Sequence, residues 1–228
     1  MTTTVAFDVT DEVLSLGLTG VYFVMTGLSN SLSNPDFDKL RIQTFNNIKP
    51  TLSRLMIDED DILNGFHELH NKVGRGSPKN LASPTNLLNF LLERGELPTI
   101  NLLVDIYNLV SIETHLAIGA HDTRKIASKV CLRLTNGSEN FWPLGYSKPQ
   151  RVGSGEYAYI DDDNDVICRL EVRQVEKTKV TLETTDCFFI VQGNADTSHQ
   201  YVLNAAMRLI ELTKMFCGGS ESWLYKPA

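Results

Sequence analysis

Three polar side chains interrupt an otherwise apolar segment at residues 99–122, TINLLVDIYNLVSIETHLAIGAHD. Asn101, Asp105 and Asn108 are separated by four and three positions, which places them on one face of a helix. A helix apolar on its other faces is typical of a core, where amides and carboxylates need hydrogen-bond partners. We therefore predict a buried helix followed by a turn. Its polar stripe either bonds the backbone of neighbouring loops or lines a polar cleft, and the spacing favours the first interpretation.

Side chains capable of acid–base or nucleophilic chemistry are present, but their positions define no catalytic set. The candidates are His115, His121, Cys168, Thr178 and Thr185. Members of a catalytic triad are adjacent in space rather than in sequence, so spacing along the chain cannot assemble them. Each of these residues, taken alone, is more typical of a structural role.

Two motifs with metal-binding composition lack the spacing of a metal site. HELH, residues 67–70, has its histidines three positions apart, whereas the zinc motif HExxH separates them by four. We predict that both histidines lie on the exposed side of an amphipathic helix. DDDND, residues 161–165, lacks the central glycine and distal glutamate of a calcium loop, so a hairpin turn is predicted. Neither a metal nor a cofactor is expected.

Basic residues cluster in the second half of the chain, at Arg124, Lys125, Lys129, Arg133, Arg169, Arg173, Lys177 and Lys179. Arg169 and Arg173 share one face if their segment is extended, because side chains alternate along a strand. Such a surface is able to hold an RNA backbone, a terminal phosphate or a carboxylate. The alternative is a solvated sheet face whose charges pair with Glu171 and Glu176, and this feature alone favours that alternative.

The composition is that of a globular protein without a general affinity for nucleic acid. The chain has 228 residues, 42% of them hydrophobic and 21% charged, with a net charge of -7. An acidic balance disfavours a nucleic-acid coat, which relies on many lysine and arginine contacts to phosphates. Four widely spaced cysteines without a CxxC pair are typical of reduced thiols. With no signal-like N-terminus and no membrane-length apolar run, a cytoplasmic protein is expected.

Helical patterns and strand patterns occupy different parts of the chain. GVYFVMTGL reads as a strand, and residues 36–72, SPTNLLNFLLERGELP and the first part of residues 99–122 read as helical. SHQYVLNAAMRLIELTKMFCGG reads as a closing helix. Between them lie five short β-like runs: KVCLRLTN, EYAYIDDD, DVICRLEVRQ, KVTLET and CFFIVQG. Predicted helix caps are Asp58, Ser83 and Ser198, and predicted helix stops are Gly95 and Gly218. This order predicts an α+β protein with a single domain over residues 1–228.

Residues 84–193 resemble the B3/B4 domain of the beta subunit of bacterial-type phenylalanyl-tRNA synthetase. The resemblance is carried by LPTINLLVDIYNLVSIETHLAIGAHDTRKI, VCLRLTNGSENFWPLG, GEYAYIDDDNDVICR and KTKVTLETTDCFFI, in that order. It is closest to the free-standing B3/B4 proteins, and residues 1–80 and the helix at 198–217 resemble them more loosely. The resemblance implies a PheT/TilS-like three-layer fold around a β-sandwich of unusual topology. It also implies an editing cleft, which in the synthetase hydrolyses tyrosine wrongly esterified to the phenylalanine tRNA.

Carried over position by position, the resemblance assigns roles to particular residues. Asp105 and Asn108 match the Asp and Asn of the family's VD…N pattern, and Asp122 matches the Asp before its basic segment. The family's editing histidine falls at Gly119, so His121 or His115 would have to replace it. The family's editing glutamate lies in a Gly-Gly-Glu stretch that is RQVEKTK here, with Glu176 nearby, and its following threonine matches Thr185.

Two functions are consistent with these assignments. The first is a trans-acting hydrolase of aminoacyl-tRNA, with catalytic candidates His121, His115, Glu176 and Thr185. Its substrate-binding candidates are Asn108, Arg133, Arg169, Arg173, Gln174 and Thr178, and Asp105 and Asp122 would support the cleft. The second is a non-catalytic module that binds RNA, a tRNA end, an amino acid or a nucleotide. In both cases the expected partner is a tRNA, an aminoacyl-tRNA 3′ end or a related small ligand.

Overall fold

Nine β-strands occur among residues 5–225, which are the residues that the computed structural model describes. In chain order they are β1 (Ala6–Val9), β2 (Thr19–Thr26), β3 (Ala117–Asp122), β4 (Lys129–Leu134), β5 (Tyr157–Asp161), β6 (Val166–Arg169), β7 (Arg173–Gln174), β8 (Cys187–Gly193) and β9 (Ser220–Tyr225). One sheet has the order β1-β4-β5-β6-β7, and the other has the order β3-β8-β2-β9. Only the β1–β4 pairing of these strands is parallel.

Most helices of residues 5–225 lie between β2 and β3 in the chain. They are α1 (Asp11–Leu14), α2 (Pro35–Ile48), α3 (Arg54–Glu59), α4 (Asp61–Lys72), α5 (Ser83–Arg94), α6 (Leu102–Thr114) and α7 (His199–Cys217), with a 3₁₀ turn at Thr123–Lys125. No helix within residues 5–225 combines the length and apolar character needed to cross a membrane.

Two apolar cores on opposite faces of the four-stranded sheet define the layers. Along β2, Phe23 faces a core shared with α6 and α7, whereas Tyr22 faces a core shared with the five-stranded sheet. Phe189 and Phe188 of β8 divide in the same way, because alternate side chains of a strand point to opposite faces. Each such fully buried aromatic side chain contributes about 1.5–3 kcal/mol by leaving water. The molecule therefore has three layers, with helices, then four strands, then five strands.

The predicted α+β class and three-layer arrangement are confirmed, as are most of the element types. GVYFVMTGL forms β2, and DDDND forms the hairpin turn between β5 and β6. Gly95 ends α5 in the left-handed conformation, with φ of 77°. The Ser198 hydroxyl accepts a hydrogen bond from the Tyr201 N–H, and Gly218 ends α7. The division of the whole chain into one domain stays a prediction.

Four local predictions are wrong. Asp58 lies inside α3, and the cap of α4 is Asp60, whose carboxylate accepts from Leu63 N–H at 2.9 Å. Ser83 is the first residue of α5 rather than its cap. KVTLET forms no strand, because the Thr184 hydroxyl accepts the Thr181 N–H and closes a turn. The predicted turn after α6 is largely strand β3, since Ala117–Asp122 pairs with β8 along its whole length.

Candidate functional site

A cavity of about 150 Å³ opens where helix α6 meets the outer strands of both sheets. Its wall includes Tyr107 and Asn108 of α6, Gly119 and His121 of β3, and Arg173 and Gln174 of β7. A cavity of roughly 150 Å³ accommodates one benzene-sized group. Arg173 is exposed whereas His121 is fully buried, so the arginine marks the mouth and the histidine the interior. The fold thus brings together four residues predicted for the site: Asn108, His121, Arg173 and Gln174.

Gly119 and Gln174 together occupy the position where the resemblance implies a histidine. A Cβ added to Gly119 would lie 2.7 Å from Gln174 Nε2, well inside van der Waals contact. The Gln174 carboxamide also hydrogen-bonds to the Tyr107 phenol, and burial raises the pKa of that phenol, which stays protonated. The amide of β7 therefore fills the space that a side chain at position 119 would take.

His121 is a neutral buried imidazole with one uncommitted nitrogen. Its Nδ1 lies 2.8 Å from the Thr178 hydroxyl, but Nε2 has no hydrogen-bond partner among residues 5–225. Burial lowers the pKa of His121 to about 3, so the ring is uncharged at neutral pH and is a weak base. When Thr178 donates to Nδ1, Nε2 carries the ring proton and is a hydrogen-bond donor. This is the form able to polarise a carbonyl.

Two further polar groups at the cavity are also uncommitted. The Asn108 carboxamide and the Arg173 guanidinium make no hydrogen bond or ion pair with any described residue. Arg173 instead packs over the Tyr146 ring, with its Cζ 5.7 Å from the ring centroid. Most other polar side chains of the interior are partnered, as native structures generally require. Only His121 Nε2 is buried among the three, whereas Asn108 is half-buried and Arg173 is exposed, so all three are available to a ligand in the cavity.

A buried carboxylate network supports the floor of the cavity. Glu171, in the turn between β6 and β7, accepts hydrogen bonds from Tyr157 at 2.9 Å and from the Gln192 amide. His70 Nε2 lies 2.9 Å from the same carboxylate, and His70 Nδ1 lies 2.9 Å from the Asn80 carbonyl oxygen. Because both ring nitrogens face acceptors, each needs a proton to form its hydrogen bond. The second of these protons is therefore shared between His70 Nε2 and the Glu171 carboxylate. The pair is neutral overall, which permits its burial.

This network corrects the prediction that both histidines of HELH are exposed. His67 is exposed, but His70 is only 1% exposed. A signal was present, since Leu63, Phe66 and His70 follow the spacing of the buried face of α4. Glu171, by contrast, carried no local signal, because its histidine partner is 101 positions away in the chain.

The polar stripe that begins the apolar segment braces loops rather than lining the cavity, except at Asn108. Asn101 caps α6 by accepting the Val104 N–H at 3.2 Å. The Asp105 carboxylate accepts the Ile100 N–H at 3.1 Å and lies 3.5 Å from the Arg41 guanidinium. The interpretation favoured by spacing therefore fits Asn101 and Asp105.

Asp105→Asn is expected to flatten the dependence of stability on pH. Burial raises the pKa of Asp105 from 3.8 to about 6, against the opposing effects of Ile100 and Arg41. Between these values the folded protein binds the proton more tightly than the unfolded chain, so stability falls as pH rises from 4 to 6. We expect the stability of the variant relative to the parent to rise by about 3 kcal/mol between pH 4 and pH 8.

Urea unfolding at the two pH values measures this difference. Asp38→Asn is the matched control, because Asp38 also faces Arg41, at 3.5 Å, but its side chain is 33% exposed. A variant at position 105 that is less stable than the parent at pH 8 would show that the Arg41 ion pair outweighs the burial of the charge.

Asp122 braces the loop that precedes β8. Its carboxylate accepts from the Arg124 guanidinium at 2.8 Å and from the Thr184 hydroxyl at 2.9 Å. Burial disfavours this charge, but hydrogen bonds from Arg124 and Thr184 outweigh burial and hold the pKa of Asp122 below its ordinary value. This position is consistent with the supporting role predicted for it.

Three residues predicted as catalytic lie away from the cavity wall. His115 ends α6 with φ of 58°, and its Nδ1 lies 2.8 Å from an Asp60 carboxylate oxygen. Glu176 accepts from the Lys179 ammonium at 2.7 Å and from the Gly145 N–H at 3.0 Å. Thr185 is exposed and donates to Asp186. Cys168 does line the cavity, but burial raises the pKa of its thiol, which disfavours the reactive thiolate.

The predicted positive surface is largely neutralised by ion pairs. Arg133 pairs with Glu139 at 2.7 Å, and Arg169 pairs with the buried Glu156. Lys177 lies within 3.6 Å of three carboxylates of the DDDND turn, which places the protein's own ammonium among them. Arg169 and Arg173 face each other across the β6–β7 hairpin rather than along one strand. The solvated-face alternative therefore fits most of the cluster, with Lys125 and Arg173 as the exceptions among the described residues. Of its two predicted acidic partners, Glu176 pairs with Lys179, but Glu171 is buried and pairs with His70 instead.

The three-layer fold and the cleft between its sheets define the class of protein, and the sequence comparisons agree. The model of the B3/4 domain family matches residues 67–218, about two thirds of the chain, and the protein belongs to this family. The matched residues contain α6, β3, β7 and every cavity residue named above. The resemblance expected from the sequence motifs is thereby confirmed.

The chain spans only part of the length of the two related proteins that it matches. It is 26% identical over 133 residues to the phenylalanine–tRNA ligase beta subunit of Wolbachia sp. subsp. Brugia malayi (strain TRS), spanning 58% of this chain and 16% of that one. Its fold is similar to an N-terminal fragment of the phenylalanyl-tRNA synthetase beta-subunit from Pyrococcus horikoshii, with a TM-score of 0.52 and 16% identity. That match covers 96% of this chain and 50% of the fragment. The protein is thus a module related to tRNA synthetases.

Proposed function

We propose that the protein hydrolyses the ester of an aminoacyl-tRNA, with the aminoacyl group inside the cavity. The observation that carries this proposal is the set of three uncommitted polar groups, Asn108, His121 and Arg173, on the wall of one cavity that accommodates a benzene-sized side chain. Its family relationship to a synthetase beta subunit supports an aminoacyl ester as the substrate. Such an ester is already activated, so positioning one water and stabilising the developing oxyanion accelerate its hydrolysis.

Each uncommitted group has a role in this reaction. The neutral His121 Nε2–H donates a hydrogen bond to the ester carbonyl oxygen. An imidazole with a lowered pKa is a better hydrogen-bond donor than it is a proton acceptor. The Asn108 amide holds the attacking water, and Arg173 at the mouth holds a phosphate of the terminal nucleotide. The water oxygen bonds to the carbonyl carbon as the bond to the ribose oxygen breaks. One water proton goes to the ribose oxygen and the other to solvent.

Purified protein incubated with a panel of mischarged tRNAs is expected to release at least one amino acid faster than buffer alone. Labelled amino acid remaining in the acid-precipitable tRNA measures the reaction. Correctly charged tRNAs serve as the control for selectivity. An unchanged ester level across the whole panel would reject the hydrolase.

A second candidate, a non-catalytic binding module, is favoured by the ion pairing around the cleft. The Glu171 carboxylate is saturated by three donors, and it is the one carboxylate among the described residues that line the cavity. Burial raises the pKa of the Cys168 thiol, which disfavours a thiolate there. In this case Arg173 would hold the carboxylate of a free amino acid. Binding measured at two salt concentrations separates the ligands, because a phosphate-driven complex with tRNA weakens steeply with salt and a small-ligand complex does not.

A further inference from the structure

Exposed aromatic side chains lie beside the cavity mouth, on the loop formed by residues 141–150. Trp142 is 49% exposed and Tyr146 is 44% exposed, although side chains of this size are usually buried. The backbone of the loop pairs with β7, since Leu144 N–H donates to the Gln174 carbonyl oxygen at 2.9 Å. The aromatic surface is therefore continuous with the cavity wall that holds Arg173.

The loop is held in one conformation by its own hydrogen bonds. Trp142 Nε1 donates to the Tyr146 carbonyl oxygen at 2.7 Å, and Gln150 N–H donates to the Phe141 carbonyl oxygen at 2.7 Å. Gly145 N–H donates to the Glu176 carboxylate at 3.0 Å. These bonds fix the edge of the indole and leave part of its ring uncovered. A groove of about 420 Å³, lined in part by Phe141, Trp142, Pro149 and Gln150, opens beside it. Two carboxylates also line this groove, and each is paired with a cation, Glu139 with Arg133 and Asp165 with Lys177.

The charges around the loop complement a polyanion. Lys148, Arg151 and Arg173 are exposed, and none of them has a carboxylate within ion-pairing distance in residues 5–225. Elsewhere in the second half most cations are paired, and the chain as a whole carries a charge of -7. Unpaired cations interleaved with exposed aromatic rings are the arrangement that binds single-stranded nucleic acid, because bases stack on the rings while cations contact phosphates.

We propose that this loop, with Arg173, is a stacking platform for the unpaired 3′ segment of an RNA. This inference deepens and rests on the proposed function, since a terminal ester in the cavity requires the nucleotides before it to leave across the mouth. Trp142 stacks on one base, Tyr146 with Arg173 forms a second aromatic–cation surface, and Lys148 and Arg151 contact the backbone. A duplex end does not fit this scheme, because its bases are already stacked on each other.

Binding of an uncharged, unstructured RNA of about 12 nucleotides tests the platform without any hydrolysis. The RNA should quench Trp142 fluorescence, and Trp142→Ala should weaken binding about 10-fold. Trp142→Phe, which keeps a stacking ring but loses the Nε1 bond, should bind within about 3-fold of the parent. Phe90→Ala is the matched control, because Phe90 is an exposed aromatic, 41% accessible, on α5. If Lys148, Arg151 and Arg173 each contact one phosphate, the logarithm of the binding constant should fall with the logarithm of salt concentration with a slope of about 2.

The proposed stacking platform and the proposed hydrolase activity are contradicted by different results. Equal losses for Trp142→Phe and Trp142→Ala would assign the effect to loop closure and contradict stacking. Unchanged RNA binding by Trp142→Ala, or equal binding of duplex and single strand, would also contradict it. If mischarged tRNA is hydrolysed with the same KM by the parent and by Trp142→Ala, only the platform fails. If RNA binding depends on Trp142 but no ester is hydrolysed, only the hydrolase fails.

Discussion

His70→Ala is expected to lower the free energy of unfolding by about 3–5 kcal/mol, because it leaves a buried carboxylate without its charged partner. His70 and Glu171 are both almost fully buried, at 1% and 2% of side-chain exposure. The remaining donors to Glu171, the Tyr157 phenol and the Gln192 amide, are neutral and cannot replace a proton shared with the imidazole. Urea unfolding at neutral pH measures the loss.

Two further variants separate this pair from a general effect on α4. His67→Ala, three residues earlier and exposed, should change stability by no more than about 0.5 kcal/mol. Glu171→Gln in the His70→Ala background should recover part of the loss, because it removes the unpaired charge. If the double variant is as unstable as the sum of the two single variants, the residues do not interact, and the proton-sharing pair is contradicted.

The type of most elements could be predicted from the sequence because periodicity and caps act locally. Strand β2 has eight residues that are apolar or β-branched apart from one glycine, and α7 begins at a capping serine and ends at a glycine. The strand predicted for KVTLET does not form, because its two threonines, Thr181 and Thr184, hydrogen-bond to each other within a turn. Strand β3 was missed because a short apolar run, buried on both faces, has no alternation to reveal it.

The candidate site was only partly predictable, because its partners come together through the pairing of distant strands. Spacing identified Asp105 and Asn101 as loop braces, and it placed no residue in the cavity. The resemblance to the B3/B4 domain predicted that the site lies around Gly119. That the amide filling this space is Gln174 depends on how β3 and β7 meet across two sheets, which no local pattern encodes.

The two buried histidines differ in a way that predicts opposite consequences of substitution. Both nitrogens of His70 face acceptors, whereas His121 Nε2 faces none. A buried polar atom without a partner costs the folded protein about 1–3 kcal/mol, so His121 is retained at the expense of stability. Because His121 lines the cavity, a ligand that accepts a hydrogen bond from Nε2–H would remove that cost.

His121→Leu with Thr178→Val is therefore expected to remove activity without removing stability. The paired change deletes both members of the Nδ1–hydroxyl bond, so neither is left buried and unsatisfied, and the free energy of unfolding should stay within about 1 kcal/mol of the parent. Losing the Nε2–H donor should lower the hydrolysis rate of mischarged tRNA about 100-fold, and kcat should fall rather than KM rise. A parallel loss of folding stability and activity would instead make His121 a structural core residue. Retained activity in a stable variant would remove the imidazole from the mechanism and leave Asn108 and Arg173 as the groups that define the ligand.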